Sequence, residues 1–152
     1  MQLTRFSDYS LRVLLYLAAH DDRLVSVDEV SRAYGVSKHH LVKVVQRLVD
    51  EDLVASTRGR GGGLRLKRRP AEINVGALVR ATEPHLNLVE CFDRETNTCP
   101  IDAACGLKQV LRHAQRAFLD VLDRSTLADF VPRAPQLIRL WRTRDRAAHR
   151  GG

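Results

Sequence analysis

A helix–glycine–helix pattern in residues 28–51 most constrains how this chain folds. A brief helix over 28–34 ends at Gly35, and a longer helix runs from Ser37, its expected cap, to about Glu51. This order is typical of a helix-turn-helix unit. The helical spacing places one set of apolar side chains on a shared inward face: Val30, Ala33, Val36, Leu41, Val44, Val45 and Leu48.

A basic hairpin is expected directly after these helices. Residues 53–56 and 64–66 are expected to be strands, and the glycine-rich stretch RGRGGG between them suits a tight turn. Between Arg58 and Arg69 there are six basic residues and no acidic one. A nucleotide-binding P-loop is disfavoured, because the lysine and hydroxyl residue that follow its glycines are absent. The pattern therefore predicts a winged helix.

These two elements predict contacts with double-stranded DNA. The recognition helix would present its exposed positions to the major groove, where side chains read base edges. The wing would present arginines to phosphates or to a narrow minor groove. A merely solvated basic face is the alternative reading of these cations. The expected DNA-binding residues are Ser37, Lys38, His39, His40, Lys43 and Gln46 on the helix, and Arg58, Arg60 and Arg65 on the wing.

The charge of the whole chain indicates a polyanionic partner. The 152 residues carry a net charge of +7, which suits nucleic acid or an anionic membrane surface. No apolar run approaches the roughly 20 residues that a membrane span needs. Ser7, Asp8 and Arg12 interrupt any signal-peptide pattern. We therefore expect a reducing cytoplasm, in which thiolates persist as ligands.

The remaining periodicity predicts a mostly α (α+β) fold. A helix over 7–20 is expected to have Ser7 as its cap, and another short helix is expected over 74–83. The expected domains are the winged helix-turn-helix at 1–83, a loop at 84–104 that contains two of the three cysteines, a dimerisation helix with a short capping helix at 105–131, and a basic, flexible tail at 132–152.

The long helix expected from Cys105 to Asp123 carries a broad apolar stripe. Such a stripe is wide enough to pack on a partner helix, although burial against its own DNA-binding domain is the alternative. Dimerisation is favoured, because paired recognition helices match palindromic half-sites one DNA turn apart. The stripe consists of Leu107, Val110, Leu111, Ala114, Phe118, Val121 and Leu122.

Three cysteines, the only ones in the chain, lie within fifteen residues. Seven residues separate Cys91 from Cys99, and five separate Cys99 from Cys105. Structural zinc sites usually contain close ligand pairs with about two to four residues between them, so zinc fits poorly. Iron–sulfur clusters take thiolates from irregular loops. The spacing therefore permits an iron–sulfur cluster without requiring one. Three thiolates would leave one iron of such a cluster without a thiolate ligand.

Several motifs that occur in order resemble one known family. Over residues 1 to about 131, the chain resembles the iron–sulfur winged-helix repressors related to NsrR, the nitric-oxide-sensing repressor. The motifs are MQLTRFSDYSLRVLLYLA, YGVSKHHLVKVVQRL, RGRGGGLRL, CPIDAACGLKQVL and STLADFV.

The resemblance implies a homodimeric repressor with a 4Fe–4S cluster in each subunit. Nitrosylation of the cluster would release palindromic operators of nitric oxide detoxification genes. Cys91, Cys99 and Cys105 would be the thiolate ligands, and Asp8 matches the position of a carboxylate ligand from the partner subunit. Arg12, one helical turn after Asp8, is expected to orient that carboxylate or to offset the negative charge of the cluster.

Two departures from the family pattern bear on this reading. The loop FDRETNT between the first two cysteines is longer than in relatives, which puts the position of Cys91 in doubt. Lys108 stands where related sensors of cluster biogenesis carry a histidine, which favours nitric oxide sensing. His85 is the rival fourth ligand. A regulator that senses iron, oxygen or cluster supply is the alternative function. The sequence shows no nucleophile–base pair that would indicate an enzyme.

Overall fold

The computed structural model describes residues 2–150, and the side chains of residues 2–144. The described helices and strands are α1 (Arg5–Ala19), α2 (Val27–Tyr34), α3 (Lys38–Asp50), β1 (Val54–Thr57), β2 (Gly63–Leu66), α4 (Val75–Thr82), α5 (Gly106–Asp123) and α6 (Ala134–Arg150). Short 3-10 turns cover Pro70–Glu72, Glu90–Phe92, Asp102–Ala104 and Leu127–Arg133. None of the helices described is both long and apolar enough to span a membrane.

The helix-turn-helix and wing form as predicted. Gly35 ends α2 with a φ of 64°, in the left-handed region where glycine carries no steric penalty. β1 and β2 pair antiparallel, from Val54 opposite Leu66 to Thr57 opposite Gly63. A single bridge from Val25 to Leu64 joins the segment before α2 to this hairpin. The wing is therefore tied to the helical part of the domain.

The core of the domain lies where α1, α3 and the hairpin meet. On α1, Val13, Leu14 and Leu17 are at most 1% exposed. Packing at this density is what holds such a small domain together, because buried apolar area is its main stabilising term. All seven inward positions predicted for α2, the turn and α3 are buried, which confirms that part of the pattern: Val30, Ala33, Val36, Leu41, Val44, Val45 and Leu48.

The predicted cap of α1 is wrong. The helix begins at Arg5, and Thr4 is its N-cap, with its hydroxyl accepting a 3.2 Å hydrogen bond from the backbone N–H of Ser7. Ser7 is instead fully buried and shares a 2.8 Å hydrogen bond with the hydroxyl of Thr82 in α4. Glu83 accepts a further hydrogen bond from the Thr4 N–H at 2.8 Å. Tertiary contacts with α4 thus decide how α1 begins.

The apolar stripe of α5 is covered along only one of its sides. Leu111 and Phe118 border a cavity whose other walls are residues 2–4 and 83–89. Leu107, Val110 and Val121, along the other side of the stripe, are between 62% and 64% exposed. An ion pair between Arg80 and Asp123, with N–O distances of 2.5 and 2.7 Å, fastens the end of α5 to α4. One side of the stripe therefore packs within the subunit, and the other side, the open face of α5, is left exposed.

The prediction of a flexible tail after Pro132 is wrong for most of that segment. Residues 134–150 form α6, which packs on α1 and α2. Trp141 is 9% exposed and lies against the rings of Tyr16, His20 and Tyr34, with centroids 4.6, 5.9 and 5.5 Å away. Residues 151 and 152 of the predicted tail lie outside the described residues.

Trp141→Ala should lower the free energy of unfolding by about 3 kcal/mol, because it removes a large aromatic side chain and leaves a cavity between α1 and α6. The measurement is urea denaturation of the full chain. Leu140→Ala is the matched control: this neighbour is 63% exposed, and its loss should change stability by less than about 0.5 kcal/mol. Equal stability of the two variants would show that α6 is not docked.

Candidate DNA interface and cysteine site

The recognition helix presents every side chain predicted to contact DNA. All six positions are solvent-exposed: Ser37, Lys38, His39, His40, Lys43 and Gln46. Ser37 is the N-cap residue of α3, but its side chain makes no capping hydrogen bond. Lys38 pairs with Asp28 at 2.8 Å, and the Gln46 amide donates to Asp50 at 2.9 Å. Both contacts are exposed and cost little to exchange for a phosphate or a base edge.

A neighbouring groove extends this surface onto α1. Tyr9 stacks on His40 with ring centroids 6.4 Å apart, and the groove between them is bordered by Arg5, Phe6 and Lys43. The sequence analysis did not identify Tyr9. Its contact joins positions 31 residues apart, so no local pattern could have signalled it. His40 is thus supported from α1 as well as from its own helix.

The basic run of the wing divides into free and paired cations. Arg58, Arg60 and Arg65 are exposed, and among the described residues none of them forms an ion pair. Lys67 and Arg68 instead pair with Asp52, and the Lys67 hydrogen bond is the main reason that the pKa of Asp52 lies below its usual value. Within the described residues, the three arginines predicted for DNA are therefore the cations of this run that have no ion-pair partner.

Arg69, at the end of the same run, is also engaged. Its guanidinium pairs with Glu72 at 2.6 Å. This hydrogen bond raises the pKa of Arg69 and lowers that of Glu72. Arg69 therefore provides a natural comparison for the free arginines of the wing, since it carries the same charge in the same basic stretch.

The cysteine loop is closed by a carboxylate that binds its far end. Thr98 donates hydrogen bonds from its backbone N–H and its hydroxyl to Glu90, at 2.5 and 2.6 Å. These bonds lower the pKa of Glu90. Glu90 directly precedes Cys91 and Thr98 directly precedes Cys99, so this clamp draws the first two cysteine positions together across the FDRETNT loop.

Asp102 connects the second cysteine to the third. Its N–H donates to the Cys99 carbonyl at 3.3 Å, and its own carbonyl accepts from the Cys105 N–H at 3.5 Å. The Asp102 carboxylate also pairs with Lys108 on α5. Cys105 is the N-cap residue of α5, where the helix dipole favours negative charge. All three cysteines are half-buried and free of disulfides.

Asp8 is held on a different element, α1. Its carboxylate receives two hydrogen bonds from Arg12, both 2.8 Å long. The role of Arg12 toward a cluster-binding Asp8 stays a prediction. The Arg12 guanidinium also lies 5.8 Å from the Tyr9 ring centroid and 5.6 Å from that of Tyr34. Asp8 is 42% exposed, which leaves its oxygens accessible from outside the subunit.

Within one subunit these groups do not assemble into a centre. In the part of the chain that the structure describes, no group of three or more His, Cys, Asp or Glu side chains is arranged to hold a metal ion. The rival ligand His85 is exposed, in the loop before Cys91. The donor types nevertheless fit an iron–sulfur cluster, because three unpaired thiols on an irregular loop are what such clusters use.

The chain matches known proteins along most of its length. Residues 3–133 match a family described as "Rrf2: Iron-dependent Transcriptional regulator". The chain belongs to the Rrf2 family. Rrf2 proteins are transcriptional regulators, so this chain is a DNA-binding regulator and not an enzyme, as its sequence predicts.

Two curated relatives and one solved structure show how close the likeness is. The chain is 45% identical to the HTH-type transcriptional regulator NsrR of Bacillus subtilis (strain 168), over 95% of this chain and 100% of that protein. It is 50% identical to the NsrR of Shouchella clausii (strain KSM-K16), over 86% and 89%. The structure of T. potens IscR superposes with a TM-score of 0.71 at 27% identity, covering 88% of each chain. The winged-helix fold is thus confirmed within the Rrf2 family.

Arg60→Ala should weaken binding of this Rrf2 protein to DNA of any sequence, because it removes a phosphate contact. The plot of log affinity against log salt should become less steep by about 0.9. Fluorescence anisotropy with a mixed-sequence duplex measures both effects. Arg69→Ala is the control, since Glu72 already neutralises that cation. If Arg69→Ala flattens the salt dependence as much as Arg60→Ala, the wing arginines have no special role.

Proposed function

We propose that this chain is a cytoplasmic, homodimeric repressor that senses nitric oxide through a 4Fe–4S cluster. Nitrosylation of the cluster would release the repressor from the palindromic operators of nitric oxide detoxification genes. The observation that carries this proposal is a clamped loop with three free, half-buried thiols, in a chain 45–50% identical to two regulators named NsrR. When bound, the cluster supplies iron atoms that nitric oxide attacks. The rest of the mechanism belongs to residues of the chain.

Cys91, Cys99 and Cys105 are the proposed thiolate ligands. The Glu90–Thr98 clamp and the Asp102 contacts reduce the entropy that the loop must lose when the thiolates converge. Gln115 of α5 donates to the Leu86 carbonyl, and Arg112 lies 5.6 Å from the ring centroid of Phe92. The loop is therefore anchored on α5, and a change in how the thiolates are held is transmitted first to that helix.

Asp8 of the partner subunit is the proposed fourth ligand. A carboxylate is a harder and weaker partner for iron than a thiolate, so this position is the most open to a small ligand. Asp8 can exchange Arg12 for another partner at little cost, because exposed pairs of this spacing contribute only about 0.3–0.5 kcal/mol. Loss of an Asp8 bond would return the carboxylate to Arg12 and remove a link between subunits.

The open face of α5 is the proposed dimer seam. Leu107, Val110 and Val121 are more than 60% exposed and lie at spacings of three and eleven residues, which keeps them on one side of a helix. Pairing two such faces would bury apolar area and set the distance between the two recognition helices. A seam next to the cysteine loop also explains how one subunit can offer Asp8 to the thiolates of the other.

Sensing of iron, oxygen or cluster supply is the second candidate, because the family is described as iron-dependent and the fold resembles T. potens IscR. Lys108 argues against it. Its ammonium pairs with Asp102 and its side chain is only 15% exposed, so this position holds the loop and offers no imidazole to iron. Nitric oxide is therefore the preferred signal.

An anaerobic titration of purified protein with nitric oxide tests the proposal. The protein should be coloured and contain iron, and operator DNA should be released in step with loss of the cluster absorbance in the visible range. The readouts are iron content, absorbance and a DNA mobility assay on the same samples. Full operator binding after complete nitrosylation rejects the nitric oxide switch, and a colourless, zinc-loaded protein rejects both candidate functions.

Asp8→Ala should leave a cluster that forms but is lost faster, because the three thiolates remain and only the weakest ligand is gone. Cys105→Ala should prevent loading altogether. The rate of iron release to a chelator, measured anaerobically, distinguishes these outcomes. Asp22→Ala removes an exposed carboxylate elsewhere and should release iron like the wild-type chain. If Asp8→Ala also releases iron at the wild-type rate, Asp8 is not a ligand of the cluster.

A further inference from the structure

The helix α6 reaches the turn of the helix-turn-helix unit. Trp141 anchors it against Tyr16 and Tyr34, and the next turn of α6 carries Arg144. A Cβ added at Gly35 would overlap the Arg144 Nη2 atom, so the guanidinium lies directly over the glycine. Residues 134–150 lie beyond the segment that matches the Rrf2 family.

The position of Arg144 is next to the reading head. Gly35 precedes the N-cap residue Ser37 by two residues, so their α-carbons are at most about 7.6 Å apart. Arg144 is exposed, and within the described part of the chain no acidic side chain pairs with it. An exposed guanidinium at this distance continues the basic surface of α3 onto a third element.

We propose that Arg144 is an additional DNA-backbone contact, which α6 delivers to a phosphate beside the recognition helix. Guanidinium groups bind phosphate oxygens in a forked geometry and stay charged at any physiological pH. Such a contact adds affinity through counterion release and carries no sequence information. Trp141 is the positioning residue, since it sets where the end of α6 meets the turn.

Gly35 is required for this arrangement on two grounds. Its φ of 64° disfavours other residues, and its missing Cβ leaves the space that the guanidinium occupies. The sequence pattern accounts for the first ground, because a glycine commonly ends a helix of this kind. The second appears only when α6 is docked, and it gives the turn glycine a role in placing a cation.

The test is the salt dependence of DNA binding by Arg144 variants of the full chain. The probe is a fluorescein-labelled, mixed-sequence duplex three helical turns long, without nitric oxide. Arg144→Gln should bind several-fold more weakly, and its plot of log affinity against log salt should be less steep by about 0.9. Arg144→Lys should keep most of the slope, because it keeps the charge. Combined with Arg60→Ala, the two losses of slope should add, since the sites do not touch.

Arg139→Gln is the matched control. Arg139 is an exposed arginine of the same helix, and its position relative to Arg144 along α6 places it on another face. It should leave the slope unchanged. An unchanged slope in Arg144→Gln, or an equal change in Arg139→Gln, overturns the proposal. The proposal also fails if Arg144→Lys and Arg144→Gln lose the same amount of DNA affinity and both melt at a lower temperature than the wild type. That result would show that Arg144 stabilises the turn and does not bind DNA. Nitric oxide sensing is not involved in these measurements, so the two proposals fail separately.

Discussion

The packing of α1 is the constraint on which the rest of the structure depends. Its inner face, at Val13, Leu14 and Leu17, is almost fully buried against α3, the hairpin and the later helices. Its outer face carries Asp8, next to the Tyr9 ring that stacks on His40. Because a close-packed interior resists small displacements, a change on the outer face of α1 cannot be absorbed locally. One helix thus supports both the core and the surface residues proposed for sensing and for DNA reading.

A short series of contacts joins the cysteine loop to the DNA-binding unit. Such a connection suits a molecular switch. The loop is clamped to itself by Glu90 and Thr98 and anchored to α5 through Leu86 and Phe92. The end of α5 is fastened to α4 through Asp123, and α4 is fastened to the start of α1 through Thr82. These links are hydrogen bonds, one ion pair and one cation–π contact. In the proposed dimer, small changes at the loop would therefore alter how α5 pairs without unfolding the winged helix.

Much of the fold could be predicted from local pattern. Gly35 and the inward positions from Val30 to Leu48 follow helical periodicity and turn chemistry, and the structure confirms them. The cap of α1 could not be predicted in this way: Ser7 has the right chemistry for a cap, but burial against Thr82 takes its hydroxyl for another partner. The docking of the C-terminal helix α6 could not be predicted for a related reason. Its arginines and Pro132 indicate an exposed segment, and only the aromatic pocket made by Tyr16, His20 and Tyr34 explains why a helix docks there.

The candidate site could likewise be predicted from the sequence only in part. The sequence by itself determined which chemical groups are present and in what order: three thiols, an N-terminal carboxylate, an exposed recognition helix and a basic hairpin. Tertiary structure decided that Lys67 and Arg68 share Asp52, which lies 15 and 16 residues before them, and it left Arg58, Arg60 and Arg65 without an ion-pair partner among the described residues. It also decided that Arg144 meets Gly35. Ion pairs and helix docking depend on distances between residues far apart in the chain, and no local pattern encodes those distances.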